Sequence, residues 1–286
     1  MRRTYREKIY RCGEYLSVQV FPVFSRSNGR RKKRAKPTSA MQARLNQKNA
    51  ERELIRILNA NFTEDDISVT LTFSDEHLPD TYEEAERAAK NFLRRVNRLR
   101  VKRGLGEMKR VLIPGAGRFH FHIPMSGGID DKTLASMWPF GYCNTIHFQF
   151  NESGLEGHAR YVAKQYEEDQ YGGVDLLSML EVDEETGEVT EGKRKKGKRR
   201  YSCSRNIVHP EAEERDGRIS AARVEEIATV DSASRAIFEK LYPGYVLADC
   251  VPYYNEENGG YYLEIKMYRE DASFLLSRKK YNRWRK

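Results

Sequence analysis

Ile67-Ser68-Val69-Thr70-Leu71-Thr72-Phe73 alternates apolar and hydroxyl side chains and is made almost wholly of β-formers. Period two with this composition predicts a strand, and the segments after it fall into a readable order. Thr81 and Glu84 have the spacing of a capping box. The helix they open carries Ala85, Ala88, Ala89, Phe92, Val96 and Leu99 on one stripe, and Gly104 closes it. Two strands follow over 108–113 and 118–124. They are joined by the turn signal Pro114-Gly115-Ala116-Gly117, so they form a hairpin. A short helix is expected over 130–138, with Asp130 or Asp131 near its start. A strand over 142–150 (Ile146, Phe148, Phe150) and a helix over 155–169 complete the series. The order β-α-β-β-α-β-α predicts an α+β domain, a central antiparallel sheet with packed helices.

The flanks are less regular. Residues 7–24 suggest a strand pair in which Leu16, Val18 and Val20 alternate and Pro22 sets the limit. A basic linker runs to residue 38. Ser39 and Gln42 then form a second capping box, opening a helix to about Asn61 with Leu54, Ile55, Leu58 and Phe62 on one side. Residues 170–200 read as a charged loop with at most a small hairpin, and 211–230 are polar and ambiguous. A helix over 232–242 precedes a hairpin whose strands, 246–254 and 261–268, flank Asn255-Glu256-Glu257-Asn258-Gly259-Gly260. The expected division is therefore an N-terminal strand pair and basic linker (1–38), a central domain (39–210), and a C-terminal helix, hairpin and basic tail (211–286).

The net charge of +9 suits a polyanionic partner. The basic residues come in blocks: Arg30-Arg31-Lys32-Lys33-Arg34 with Lys36, the run 193–200, and Arg278-Lys279-Lys280 with Arg283-Trp284-Arg285-Lys286. In the last block Tyr281 and Trp284 offer rings to bases. Cys12, Cys143, Cys203 and Cys250 are scattered without a C-x-x-C pair, which argues against a zinc knuckle or disulfide scaffold and fits a reducing cytosol. No apolar run has membrane-spanning length and no signal-peptide core is seen, so no membrane is expected among the partners. A phosphate loop of the Gly-x-x-x-x-Gly-Lys-Ser/Thr type is absent, so no fused helicase is indicated.

Two short words carry chemistry. In His120-Phe121-His122, strand alternation puts both imidazoles on one face, where they can share a metal ion. In Tyr161-Val162-Ala163-Lys164, helical spacing puts a nucleophilic tyrosine beside a lysine that can offset phosphate charge. Attack on a phosphodiester needs a metal to polarise the phosphoryl group. Tyr166 lies well round the helix from Tyr161 and reads as core. His158 lies one turn before Tyr161, where it could stand near the site, but reads rather as a surface residue, and His77 as a loop contact.

The ordered words resemble the HUH-type rolling-circle replication initiators, the Rep-like proteins of bacterial mobile elements and single-stranded DNA phages. The matching pieces begin with the 68–73 strand and Asp75-Glu76-His77-Leu78-Pro79, followed by Gly117-Arg118-Phe119-His120-Phe121-His122. They continue through Trp138-Pro139-Phe140-Gly141-Tyr142, Ala159-Arg160-Tyr161-Val162-Ala163-Lys164 and Arg200-Tyr201-Ser202-Cys203-Ser204-Arg205-Asn206. The resemblance implies an RRM-like or ferredoxin-like HUH endonuclease fold and a Mg²⁺ or Mn²⁺ ion. It also implies nicking of single-stranded origin DNA through a 5′-phosphotyrosine with a free 3′-OH, then strand transfer. His120 and His122 would be metal ligands, Tyr161 the nucleophile and Lys164 its electrostatic helper. Relatives often add a Glu upstream of the first His. Here that stretch is Leu112-Ile113-Pro114-Gly115, which leaves Glu107, His147, Gln149, a carbonyl or water as the third ligand. Two imidazoles suit Mn²⁺ better than Mg²⁺.

Phosphate contacts are expected from Arg30, Arg31, Arg118, Arg160, Lys195, Lys196, Arg200 and Arg205. Host helicase and polymerase would be partners in a bacterial cytosol. Two other readings remain. One is a non-catalytic single-strand-binding or regulatory protein on the same scaffold, stacking bases on Phe148 and Phe150. The other is a mobilisation relaxase.

Overall fold

A computed structural model describes residues 4–23, 39–115, 118–162, 180–182, 189–191, 201–230, 233–255 and 259–275. In chain order the elements are β1 (Thr4–Cys12), β2 (Tyr15–Val23), α1 (Ser39–Asn61), β3 (Ile67–Thr72), α2 (Tyr82–Lys102), β4 (Val111–Pro114) and β5 (His120–Met125). Then come α3 (Asp131–Ser136), β6 (Cys143–His147), a helix α4 over 156–162, β7 (Leu180–Val182), β8 (Val189–Glu191) and β9 (Ser202–Cys203). The last are β10 (Glu213–Asp216), α5 (Ala221–Thr229), α6 (Ala233–Leu241), β11 (Tyr245–Asn255) and β12 (Gly260–Arg269). The protein is mixed α+β, with two five-stranded antiparallel sheets. Among the described residues no helix is long and apolar enough to cross a membrane.

The chain divides into two units. The first comprises residues 1–61, 149–157 and 208–286, and the second 62–148 and 158–207. The second unit holds the sheet β6-β3-β5-β4-β9. The strand expected over 67–73 lies inside it, paired on both sides. Its apolar residues Ile67, Val69 and Leu71 join Phe121, Ile123 and Met125 of β5 in the core, beneath the Ala85–Phe92–Val96 stripe of α2. Burial of each large side chain contributes about 1.5–3 kcal/mol. The helix begins where the capping box placed it, the Thr81 hydroxyl accepting the Glu84 N–H. At its other end Arg100 donates to the carbonyls of Leu105, Ser126 and Gly127 and so ties down the loop after β5. Trp138 fixes the entry to β6. Its indole N–H donates to Thr72 O at 2.8 Å while its ring packs on Phe73 and Phe92. Gly141 then passes so close to the Thr72 carbonyl that any Cβ there would overlap it.

The first unit holds the sheet β10-β1-β2-β12-β11. β1 and β2 are nine residues each and turn through Gly13 and Glu14, with Gly13 at φ +63°, a conformation that favours glycine at the first position of a tight hairpin turn. One face of this sheet packs Ile9, Leu16, Val18, Val20, Leu263 and Ile265 against Val224 and Ile227 of α5 and Phe238 of α6. Beneath it the Tyr242 hydroxyl donates to the buried Glu7 carboxylate at 2.6 Å. Burial and that carboxylate both raise the tyrosine's pKa.

The structure differs from the expectation of one central sheet. β2 pairs with β12, so the N-terminal strand pair and the C-terminal hairpin share a second sheet, which the 208–286 and 1–61 segments build together. Alternation tells which side of a strand is apolar, not which distant strand lies beside it. The ambiguous 211–230 stretch supplies β10 and α5. Pro22 lies past the last β2–β12 pair, so its missing N–H is not needed there. The strand expected over 142–150 stops at His147, because Phe148 turns inward against Phe62, ring centroids 5.8 Å apart.

Candidate active site

The chemistry-bearing residues lie on the side of the second unit's sheet opposite its α2 core. Phe121 and Ile123 point into that core, so the residues between and beside them, His120 and His122, share the other face. Register places Thr72 opposite His120, and Thr70 opposite His122 on one side with Ile113 on the other. The two imidazole centroids are 5.0 Å apart with planes at 88°. His122 is only 4% exposed, and its Nδ1 is 3.2 Å from the Thr70 hydroxyl. His120 Nδ1 is 2.8 Å from Arg118 O. A carbonyl oxygen only accepts, so Nδ1 carries the proton and Nε2 the lone pair of the neutral ring. This is the second-sphere arrangement that orients a metal-ligating histidine. Gly115 makes room for that ring: a Cβ at this position would overlap its Nε2, Cε1 and Cδ2 atoms.

The sequence could not show which partners hold the histidines. Thr70 becomes visible as a partner only once the β3–β5 register is known, and the Arg118 carbonyl, two residues before His120, only once the backbone is. Arg118 itself is folded back, its guanidinium bonding Asp75 and Phe73 O.

α4 brings the tyrosine. Ala159 and Val162 are buried, which turns Tyr161 outward, 56% exposed. Its ring centroid is 5.9 Å from that of His122 at an interplanar angle of 74°. His158 is not a surface residue. It packs 5.2 Å from Phe148, its Nε2 is buried without a hydrogen-bond partner, and burial holds its pKa below the ordinary histidine value. Phe148 is itself buried, and Phe150 stacks on Tyr15 within the first unit, so neither offers an open platform for bases.

The structure brings His120, His122 and Tyr161 together and leaves the other candidate ligands elsewhere. His147 pairs with Ile67 and so lies on the opposite face, 3.8 Å from Asp131. Glu107 is exposed in the loop before β4, several residues short of Ile113, the residue that stands beside His122. Gln149 lies beyond the end of β6. Among the described residues no group of three or more His, Cys, Asp or Glu gathers around one point. Burial pushes the Cys143 thiol up to about 11 and the Cys12 thiol up to about 12, which disfavours their thiolates as ligands. Arg160 and Arg205 are exposed. Lys164, Tyr166, Lys195, Lys196, Arg200, Arg30 and Arg31 lie outside the described residues.

No family model, curated protein or solved structure matches this chain.

The donor set fits a divalent cation in part. Two neutral imidazoles on one strand, one with its tautomer set by a carbonyl, are suitable ligands for Mn²⁺. Ile113 fills the neighbouring position on β4, so oxygen from water or from substrate phosphate would complete the set.

Proposed function

We propose that the protein is an HUH-type, single-tyrosine DNA endonuclease and strand transferase that initiates rolling-circle replication. The observation that carries this reading is the Tyr161 ring beside His122, itself beside His120, on the face of an antiparallel sheet opposite its α2 core. The order of strands and helices in the second unit agrees with an RRM-like or ferredoxin-like HUH fold. A cation held by His120 and His122 would supply charge to polarise the scissile phosphoryl oxygens. Tyr161 Oη forms the new bond to phosphorus, the P–O3′ bond breaks, and the tyrosine's proton passes through solvent to the leaving 3′ oxygen. The products are a 5′-phosphotyrosine and a free 3′-OH that can prime synthesis. In strand transfer a 3′-OH attacks the phosphotyrosine and the phenol leaves. Lys164, one turn on from Tyr161, would offset phosphate charge. Unwinding and polymerisation would fall to host enzymes, and the place of action would be a bacterial cytosol.

The test is an incubation of the full chain with Mn²⁺ and end-labelled single-stranded DNA from its own element, read as a covalent adduct on a denaturing gel. Wild type forms the adduct and Tyr161→Phe does not. An adduct that persists in the variant would refute the nucleophile assignment, and no adduct from wild type on any origin-region oligonucleotide would favour the binding-protein reading.

A further inference from the structure

The α1 side of the first unit's sheet has a cavity and an aromatic row that nicking chemistry does not use. Register lays the residues of this side in successive rows. Tyr10 stands opposite Ser17, and Gln19 opposite Glu264 and Lys8. Beyond them Phe21 packs on Tyr262, which stands opposite Tyr253. Arg52 and Arg56 of α1 reach down onto the first rows. With Tyr10, Gln19, Asn49 and His209 they line a cavity of about 360 Å³.

Arg56 is the unusual member. Its guanidinium carbon sits 3.4 Å from the Tyr10 ring centroid, and its Nε is buried with no hydrogen-bond partner. Among the described residues no carboxylate forms an ion pair with it. Arg52 is paired with Glu264, and Glu53, the carboxylate of the lining, is 3.8 Å from His209. Burial lowers the Arg56 pKa, yet a guanidinium keeps its proton at neutral pH. A largely buried charge normally has an ionic partner, and the partner that a planar, many-donor guanidinium suits best is a phosphate.

The neighbouring row fits the rest of a nucleotide strand. Tyr253 and Tyr262 stack at 4.9 Å with planes 21° apart, and Tyr262 and Phe21 at 6.4 Å and 15°. The stack ends at the edge strand β11, where Tyr253 is 45% exposed. Lys8 Nζ lies 5.9 Å from the Phe21 ring. Phe21 lies four residues, about 13 Å along the strand, beyond Ser17, which stands opposite the Tyr10 that carries Arg56, so the two contacts would fall on different nucleotides of one strand. We propose that this surface is a second binding site for single-stranded nucleic acid, with one phosphate held by Arg56 and a base stacked on the Tyr253 end of the aromatic row. The site needs neither the histidines nor Tyr161 and does not rest on the nicking reading.

The experiment is fluorescence anisotropy of a labelled oligothymidylate with the full chain across a salt series. Arg56→Gln and Tyr253→Ala should each weaken binding by about tenfold, and Arg56→Gln should also lower the slope of log affinity against log salt by about one. An abasic strand should retain the Arg56 effect and lose the Tyr253 effect. Tyr253 is exposed, so its variant reports binding even where Arg56→Gln lowers the melting temperature. A photoreactive 5-iodouracil strand should cross-link within 253–262. Unchanged affinity in Tyr253→Ala, or cross-links confined to 118–161, would overturn the proposal. Equal competition by thymidine monophosphate would make it a free-nucleotide site and overturn the strand assignment. The Arg56→Gln and Tyr253→Ala effects should persist in the Tyr161→Phe background, so loss of the adduct there would bear on nicking alone.

Discussion

The two sheets are alike in size and in antiparallel pairing but use their second faces in opposite ways. In the second unit the face carries few, closely held groups: His122 is almost fully buried, and each imidazole has a hydrogen-bond partner that sets its orientation. In the first unit the face is broad and partly open, with a stacked aromatic row and a guanidinium that no carboxylate of the described residues pairs with. Bond-making needs groups held to a fraction of an ångström. Holding a strand needs area and charge, and tolerates looser placement. Two sheets of the same size and pairing thus differ in how firmly the side chains of their second faces are fixed, the firmer one matching the proposed chemistry and the looser one the proposed strand binding.

The sharpest break would come from Tyr161→Phe, which should abolish the covalent adduct on a denaturing gel while leaving the thermal midpoint unchanged. Next is Gly115→Val. Its side chain would occupy the space of the His120 ring and displace a ligand of the proposed metal, so the proposed nicking should fall by about 10²-fold, with little change in strand affinity. Wild-type rates in that variant would show that the ring's position is not critical.

Stability predictions probe each unit in turn. Tyr242→Phe leaves the buried Glu7 carboxylate without its donor and should cost about 1–3 kcal/mol in urea unfolding, with faster hydrogen exchange in β1 and β2. Thr81→Ala removes a helix cap and should cost about 1 kcal/mol, with its exchange effect in α2 instead. If both variants accelerated exchange in the same strands, the division into two units would have to be abandoned.

The smallest effect concerns pH. His158 has a folded pKa below its ordinary 6.5, so just below that value the unfolded chain binds more protons than the folded one. Stability should therefore fall as pH drops through about 6.5 and level off below the folded pKa. His158→Leu should remove this part of the acid dependence of the thermal midpoint. A variant with the same pH profile as wild type would show that the histidine is not buried.

Much of the second unit was legible in the sequence, because its signals are local. The 67–73 alternation, the Thr81 cap and the His-Phe-His parity all depend on neighbours a few residues away, and each lies where the pattern indicates. The first unit's sheet was not legible, because Val20 meets Leu263 across more than two hundred residues of sequence. The same limit applies within the site. His147 resembled a spare ligand until register put it on the wrong face, and His158 resembled a surface residue until Phe148 was found against it. Arg56 gave no sign at all, since an arginine on a helix is ordinary until its contact with Tyr10 and its buried, unpartnered Nε can be seen.

The β2–β12 pairing also has a consequence for synthesis. β2 leaves the ribosome early, while its partner β12 must wait until nearly the whole described chain has been made. At usual elongation rates that delay is roughly 10–50 s. Throughout it, one edge of β2 has no neighbour, and an unpaired edge is where newly made chains stick to one another. The second unit has no such wait for its central strands, since β3 to β6 emerge in one continuous stretch. Protease challenge of ribosome-stalled chains should therefore find residues 67–147 protected before β1 and β2, and the opposite order would show that the outer hairpin does not depend on its late partner.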